Sequence, residues 1–190
     1  MIRYKQGRKP HLSLFVENDT IIKSRLGWEL SPAKLVNWIK ASYQAEVHEI
    51  YWYLSSPNQE WEETLKSELA EYKLFIKIRC LSNRTKELYP GEYYNKSPEV
   101  PMAIDMFLTA EDYDYGFLVT ESESLERAVE LLRSKQVRIF VIGTANYVPR
   151  ELRNAADTFI EIQNLKKHLT TTPITRPQKN TGLQRAKLSG

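Results

Sequence analysis

The most constraining feature of this sequence is the alternation of short apolar segments with longer segments of helical period. Six apolar segments have the length and residue types of buried strands, and amphipathic helical patterns separate them. The strand segments are 11–16, 47–54, 73–78, 115–120, 137–143 and 158–162. Strands that alternate with helices of this length predict a mainly parallel sheet with helices on both faces, that is, an α/β protein with a three-layer α/β/α sandwich.

Local signals support individual elements of this prediction. Ser31 and Pro32 have the residue types of an N-cap and a first helical position, and they precede an apolar stripe that includes Leu35 and Ile39. Three consecutive aromatic residues, 51–53, lie within the second strand segment. Because neighbouring residues of a strand point to opposite faces, we expect this triplet to contribute to the core on both sides of the sheet.

Charge is distributed unevenly along the chain. The formal net charge is only +3, from 27 Lys and Arg against 24 Asp and Glu. However, residues 1–11 carry four basic side chains and residues 163–190 carry six, with no acidic residue in either segment, so 12–162 has a net charge of −7. We therefore predict a basic N-terminal extension (1–11), a folded acidic domain (12–162) and a disordered basic tail (163–190).

Composition excludes several classes of protein. The single cysteine, Cys80, cannot form an intramolecular disulfide or a cysteine-rich zinc site, and it favours a reducing, cytoplasmic compartment. No apolar run approaches the roughly 20 residues that a membrane helix needs. The first ten residues have no apolar stretch after their charges, so we expect neither a signal peptide nor membrane association.

Acidic residues follow two of the predicted strands. Glu17 follows the first strand segment, and Glu121 and Glu123 follow the fourth. Glu99 and Asp105 lie at the start and in the middle of the helix between the third and fourth strands. The carboxyl ends of parallel strands meet at one edge of a sheet, where carboxylates can bind Mg²⁺ or Mn²⁺. The alternative is structural, because Ser122 or Ser124 can cap the next helix, Asp105 can pair with a lysine, and the glutamates can be solvated.

Several segments together resemble the NYN (LabA-like) domain, a branch of the PIN-like nucleases. The matching segments are Leu14–Thr20 (LFVENDT), Lys96–Glu99 (KSPE), Asp105, Leu118–Ser124 (LVTESES), Val137–Gly143 (VRIFVIG) and Ala155–Ile160 (AADTFI). They cover about 150 residues in the order that the family shows. The resemblance implies a PIN-like fold and RNA cleavage that depends on Mg²⁺ or Mn²⁺. It implies catalytic roles for Glu17, Glu99 and Asp105, and metal ligation by these three together with Glu121 and Glu123.

The sequence departs from the family pattern at most of its acidic positions. Glutamate replaces aspartate at 17 and 99, and without gaps the two aspartates of the S-G-D-S-D motif correspond to Ser122 and Ser124. A serine hydroxyl is a poor substitute for an anionic ligand of a hard cation. We therefore expect a protein that binds or acts on RNA with weakened or lost nuclease activity. The alternative is an active endoribonuclease that uses a rearranged carboxylate cluster.

A basic, tyrosine-rich segment at 79–96 is the second nucleic-acid feature. Cations can contact phosphates there and aromatic rings can stack on bases, although the tyrosines can equally pack the segment onto the domain. The predicted contact residues are Arg79, Arg84, Lys86, Tyr93, Tyr94 and Lys96. RNA is the expected partner. The sequence also permits a protein partner, and either a monomer or a homodimer.

Overall fold

The computed structural model describes residues 8–18, 26–54, 59–80 and 98–170. Six strands form one sheet in which every neighbouring pair is parallel. The strands are β1 (His11–Glu17), β2 (Glu46–Leu54), β3 (Ile76–Cys80), β4 (Tyr115–Val119), β5 (Arg138–Gly143) and β6 (Thr158–Glu161). Their order across the sheet is β3-β2-β1-β4-β5-β6. The predicted α/β class with a parallel sheet is confirmed.

Helices cover both faces of this sheet. They are α1 (Pro32–Tyr43), α2 (Gln59–Glu68), α3 (Glu99–Leu108), α4 (Glu126–Ser134), α5 (Arg150–Ala155) and α6 (Lys166–Leu169). Short 3₁₀ turns span Ala70–Tyr72, Glu123–Leu125 and Ile162–Leu165. One apolar cluster joins α1, α2 and α6 to the sheet, and a second joins α3, α4 and α5 to the opposite face, which gives the three-layer sandwich.

The aromatic triplet of β2 is divided between these two cores. Trp52 packs in the cluster under α1 and α2, whereas Tyr51 and Tyr53 pack in the cluster under α3. All three side chains are buried. The prediction that the triplet serves both faces is confirmed, and the two tyrosines thereby lie on the face that carries Glu17.

Helix α1 begins where the sequence predicts. The Ser31 hydroxyl accepts a hydrogen bond from the Lys34 amide and donates one to Glu68 on α2, so one residue caps α1 and links it to its neighbour. The helix ends at Gln44, which adopts the left-handed conformation. Local signals thus define both the start of α1 and its packing against α2.

The structure differs from the sequence-based expectations in two places. Strand β3 lies two to three residues later than predicted, because Leu74 and Phe75 are exposed and precede the ladder with β2. The fold also continues past residue 162: Leu169 is fully buried, and its carbonyl accepts a hydrogen bond from the Ser31 amide. The expected disorder is therefore wrong for 163–170, while 171–190 and residues 1–7 lie outside the described residues. In the described part of the chain, no helix is both long and apolar enough to cross a membrane.

Candidate acidic site at the switch point of the sheet

The strand order places a topological switch point at the centre of the sheet. From β1 the chain proceeds to β2 and β3 on one side, and from β4 it proceeds to β5 and β6 on the other. In open parallel sheets, the carboxyl ends of the two strands at such a point flank a crevice that commonly binds ligands. Glu17 ends β1, and Thr120 directly follows β4. The crevice of this protein is therefore lined by the segments in which the sequence places its acidic residues.

A chain of hydrogen bonds crosses the switch point. The Thr120 hydroxyl donates to Glu17 Oε2 over 2.7 Å, and the Ser122 amide donates to Thr120 Oγ1 over 3.1 Å. The Ser122 hydroxyl then donates to Glu99 Oε1 over 2.7 Å. The structure therefore brings Glu17 and Glu99 to the same edge of the sheet, as predicted. At this edge, a hydroxyl group of the chain donates a hydrogen bond to each of the two carboxylates.

Ser122 occupies the N-cap position of the 3₁₀ turn Glu123–Leu125 without making a side-chain capping bond. Its hydroxyl is engaged by Glu99 at the start of α3 instead. The other Glu99 oxygen, Oε2, is buried and has no hydrogen-bond partner among the described residues. Ser122 thus joins α3 to the end of β4, and its expected capping role is not observed.

Asp105 lies in a separate, more enclosed cluster on α3. The residue is only 8% exposed. The Tyr53 hydroxyl donates to its Oδ2 over 2.9 Å, and Arg79 donates to both oxygens, from Nε to Oδ2 over 3.1 Å and from Nη2 to Oδ1 over 3.0 Å. Such a two-pronged guanidinium–carboxylate pair is among the stronger charge-assisted contacts in proteins. The carboxylate of Asp105 is therefore compensated by residues of β2 and β3.

Ionisation equilibria follow this geometry. Burial, reinforced by the negative charge of Asp105, raises the pKa of Tyr53 far above its ordinary value, so the hydroxyl remains a donor. The hydrogen bonds to Asp105 raise the pKa of Arg79 further, so its positive charge is retained. Tyr53, Arg79 and Asp105 therefore form a fixed network whose charges balance.

A second cation-bearing pair lies next to this network on the same face. Lys77 precedes Arg79 by two residues on β3. Its ammonium group forms an ion pair with Glu49 and donates a hydrogen bond to the Tyr51 hydroxyl oxygen. The Lys77 ammonium and the Arg79 guanidinium lie 5.0 and 5.9 Å from the centre of the Tyr51 ring. The Tyr51 ring stacks on Phe15 with 5.1 Å between centroids. Strand β3, at the edge of the sheet, thus presents two half-exposed cations over buried aromatic rings.

The remaining predicted residues have different positions. Glu123 is exposed in the 3₁₀ turn, and Glu121 is partly buried close to Gly143 at the end of β5. Arg79 is placed beside the site, although its guanidinium is directed to Asp105. The other predicted nucleic-acid contacts lie outside the described residues; they are Arg84, Lys86, Tyr93, Tyr94 and Lys96.

Sequence reasoning missed two residues of the site. Tyr53 was assigned only to the core, although its place near the carboxyl end of a central strand gives its hydroxyl access to the functional edge. Thr120 was read only as the end of the strand and not as a partner of Glu17. Position in a parallel sheet was the available signal for both residues, since polar groups near the strand ends face the crevice.

The residues described here do not fit a three-carboxylate metal centre. Within 8–18, 26–54, 59–80 and 98–170, no three His, Cys, Asp or Glu side chains are arranged so that they could hold a metal ion. Asp105, the one aspartate among the predicted metal ligands, has hydrogen-bond donors on both of its oxygens. The family pattern and the donor set of this chain therefore disagree.

The three-layer α/β/α sandwich with acidic residues at the switch point is consistent with an RNase-like domain of the PIN superfamily, and the match to a family profile indicates that class. The chain belongs to the NYN domain family, whose sequence profile matches residues 11–163. The nucleases among NYN and PIN-like proteins generally depend on divalent metal ions.

The chain is also similar to two known proteins, one in sequence and one in structure. The chain is 27% identical over 173 residues to the low amplitude and bright protein LabA of Synechococcus elongatus, covering 90% of this chain and 93% of that protein. It is also similar in structure to a protein of unknown function from Vibrio parahaemolyticus, with a TM-score of 0.65 and 16% identity, over 82% of this chain and 94% of that one. The structural similarity supports the fold alone.

Proposed function

We propose that this NYN domain acts by binding RNA and that its capacity to cleave RNA is weak or lost. The observation that carries the proposal is the engagement of Asp105 by Arg79 and Tyr53. A carboxylate that already has a bound guanidinium is a poor ligand for a second cation. Glu17 and Glu99 likewise accept hydrogen bonds from Thr120 and Ser122.

The capacity to bind RNA is supported by the family and by the charge pattern. The body from 12 to 162 has a net charge of −7, whereas the two ends together carry ten basic residues and no acidic one. Cations in the segment 79–96 and at the ends can neutralise phosphates and release counterions, which gives affinity without sequence preference. Tyr93 and Tyr94 can supply stacking surfaces for unpaired bases.

Fluorescence anisotropy with a labelled single-stranded RNA tests the binding part of the proposal. The informative variant combines Arg84→Ala, Lys86→Ala and Lys96→Ala. Its matched control removes three positive charges from helices and their ends with Lys66→Ala, Arg127→Ala and Lys135→Ala. If three phosphate contacts are lost, the slope of log affinity against log salt should fall by about 2 in the first variant and far less in the control. Equal effects would show that only net charge matters.

A cleavage assay tests the second part. The same RNA is incubated with millimolar Mn²⁺ or Mg²⁺, and Glu17→Gln and Glu99→Gln proteins are assayed in parallel. We expect intact RNA and unchanged binding in the presence of EDTA. Cleavage that requires Mn²⁺ and disappears in both variants would overturn the proposal in favour of an active ribonuclease. Such a result would implicate Glu99 Oε2, which is buried and has no hydrogen-bond partner in the part of the chain that the structure describes.

A further inference from the structure

The contacts of Asp105 resemble those of a carboxylate that already holds a cation. Its side chain is 11% exposed, and both oxygens lie 3.0–3.1 Å from nitrogens of one guanidinium group. Tyr53 fills a further acceptor position on Oδ2 from the strand below. Residues of the chain itself therefore bury this aspartate, balance its charge and donate hydrogen bonds to it.

We propose that the Arg79 guanidinium takes the place of a metal ion at Asp105, so that this aspartate anchors α3 to β2 and β3 and does not ligate metal. Asp105 belongs to α3, Tyr53 to β2 and Arg79 to β3, so this carboxylate links the helix to two neighbouring strands of the sheet. Arg79 is thereby a positioning residue that holds Asp105 through two hydrogen bonds.

The adjacent pair on the same strand offers an internal comparison. Lys77 and Glu49 also form an ion pair on this face, but their lysine is 44% exposed and their glutamate lies on β2 itself. Loss of Lys77 removes a cation from the same strand without leaving a charge on α3. Loss of Arg79, in contrast, leaves a buried carboxylate with one neutral donor. An uncompensated buried charge is strongly unfavourable, and this creates a demand for another cation.

The test measures thermal unfolding in a Mn²⁺ titration, with choline chloride at equal ionic strength as the control for screening. The proteins are the full chain, Arg79→Ala, Lys77→Ala and the double variant Arg79→Ala/Asp105→Asn. Arg79→Ala should gain about 3–6 °C in Tm once Mn²⁺ reaches about ten times its Kd. The full chain, Lys77→Ala and the double variant should each shift by less than about 1 °C over the same range.

Each outcome decides the inference. A Mn²⁺ response in the unmodified chain as large as that in Arg79→Ala would show that the guanidinium does not exclude a metal. A folded Arg79→Ala protein that ignores Mn²⁺ would show that Asp105 has no affinity for a cation other than Arg79. If Arg79→Ala does not fold, it is refolded with and without Mn²⁺: recovery only with the metal supports the proposal, and failure in both overturns it.

This readout is independent of RNA. The proposed function would fail if RNA were not bound, whereas the inference about Arg79 would fail only through the metal dependence of unfolding. A protein that binds no RNA could still gain a Mn²⁺ response on loss of Arg79. The two proposals are therefore distinguished by separate measurements on separate sets of variants.

Discussion

Replacement of Tyr53 by phenylalanine removes one hydroxyl from the network around Asp105 and leaves the ring in place. The ring is buried and stacks on Tyr51 with 6.4 Å between centroids, and phenylalanine preserves that packing. The lost hydrogen bond had a charged acceptor, and such bonds contribute about 1.5–3 kcal/mol. Arg79 still donates to both oxygens of Asp105, so we expect the lower part of this range, about 1.5–2 kcal/mol.

Tyr113→Phe is the matched control. Tyr113 is also buried, but its hydroxyl donates to the backbone carbonyl of Met106 over 3.0 Å, which is a neutral acceptor. The expected loss is therefore about 1 kcal/mol, the typical value for a neutral hydrogen bond. The comparison therefore isolates the charge of the acceptor, with burial of the donor ring held similar.

Urea unfolding followed by tyrosine and tryptophan fluorescence measures both losses. With a slope of about 2–3 kcal/mol per molar, Tyr53→Phe should lower the midpoint by about 0.5–1 M at unchanged slope. A double-mutant cycle with Asp105→Asn should give a coupling free energy of about 1 kcal/mol or more. A loss for Tyr53→Phe no larger than that for Tyr113→Phe, together with zero coupling, would refute the role given to the Tyr53 hydroxyl.

Two further predictions concern the C-terminal turn and the neighbouring ion pair. Leu169→Ala should cost about 2–5 kcal/mol, because the side chain is fully buried, whereas Lys167→Ala on the same turn should stay within about 0.5 kcal/mol in the same urea assay. Burial raises the pKa of Glu49, but hydrogen bonds from Lys77 and Tyr51 outweigh it and leave the pKa below its ordinary 4.5. The ionised group therefore stabilises the fold above about pH 4.5, and this contribution disappears as the pH falls through the lower, folded-state pKa. The stability difference between the unmodified chain and Glu49→Gln should accordingly shrink between pH 7 and pH 3, and a constant difference would contradict the assignment.

Helix α1 and the β2 triplet could be predicted because their signals are local. An N-cap serine followed by proline, and an apolar stripe of helical period, determine where α1 begins and which side it buries. Alternation along a strand determines that Tyr51 and Trp52 face opposite cores. In each case a few adjacent residues carry the information.

The position of β3 and the length of the domain could not be predicted in the same way. The alternation in 73–78 is local, but the pairing with β2 begins at Ile76, and this depends on the turn that follows Tyr72. Leu169 lies in a segment rich in lysine and threonine, so composition suggested disorder. Its burial becomes evident only when α6 is seen against α1 and Leu30.

The location of the candidate site could be predicted from the sequence, whereas the pairing of its side chains could not. Parallel topology alone brings Glu17, Glu99 and the residues after β4 to one edge of the sheet, as the sequence predicted. The pairing of Asp105 with Arg79 depends on the reach of two side chains from α3 and β3, which are far apart in sequence. From the sequence, a lysine was a possible partner of Asp105. The observed partner is Arg79, which lies in the segment predicted to contact RNA.

Serine at position 122 shows how this site can remain stable without a cation. Two carboxylates at 2.7 Å would repel each other strongly unless a cation or a proton lay between them. The hydroxyl of Ser122 donates to Glu99 at that distance, and the hydroxyl of Thr120 does the same to Glu17. With Arg79 on Asp105, each of these three acidic groups has a donor from the chain itself. The same residues that weaken the case for metal ligation therefore supply the hydrogen bonds and the positive charge that a metal ion would otherwise provide, and the Mn²⁺ titration tests whether the stability of this NYN domain depends on metal.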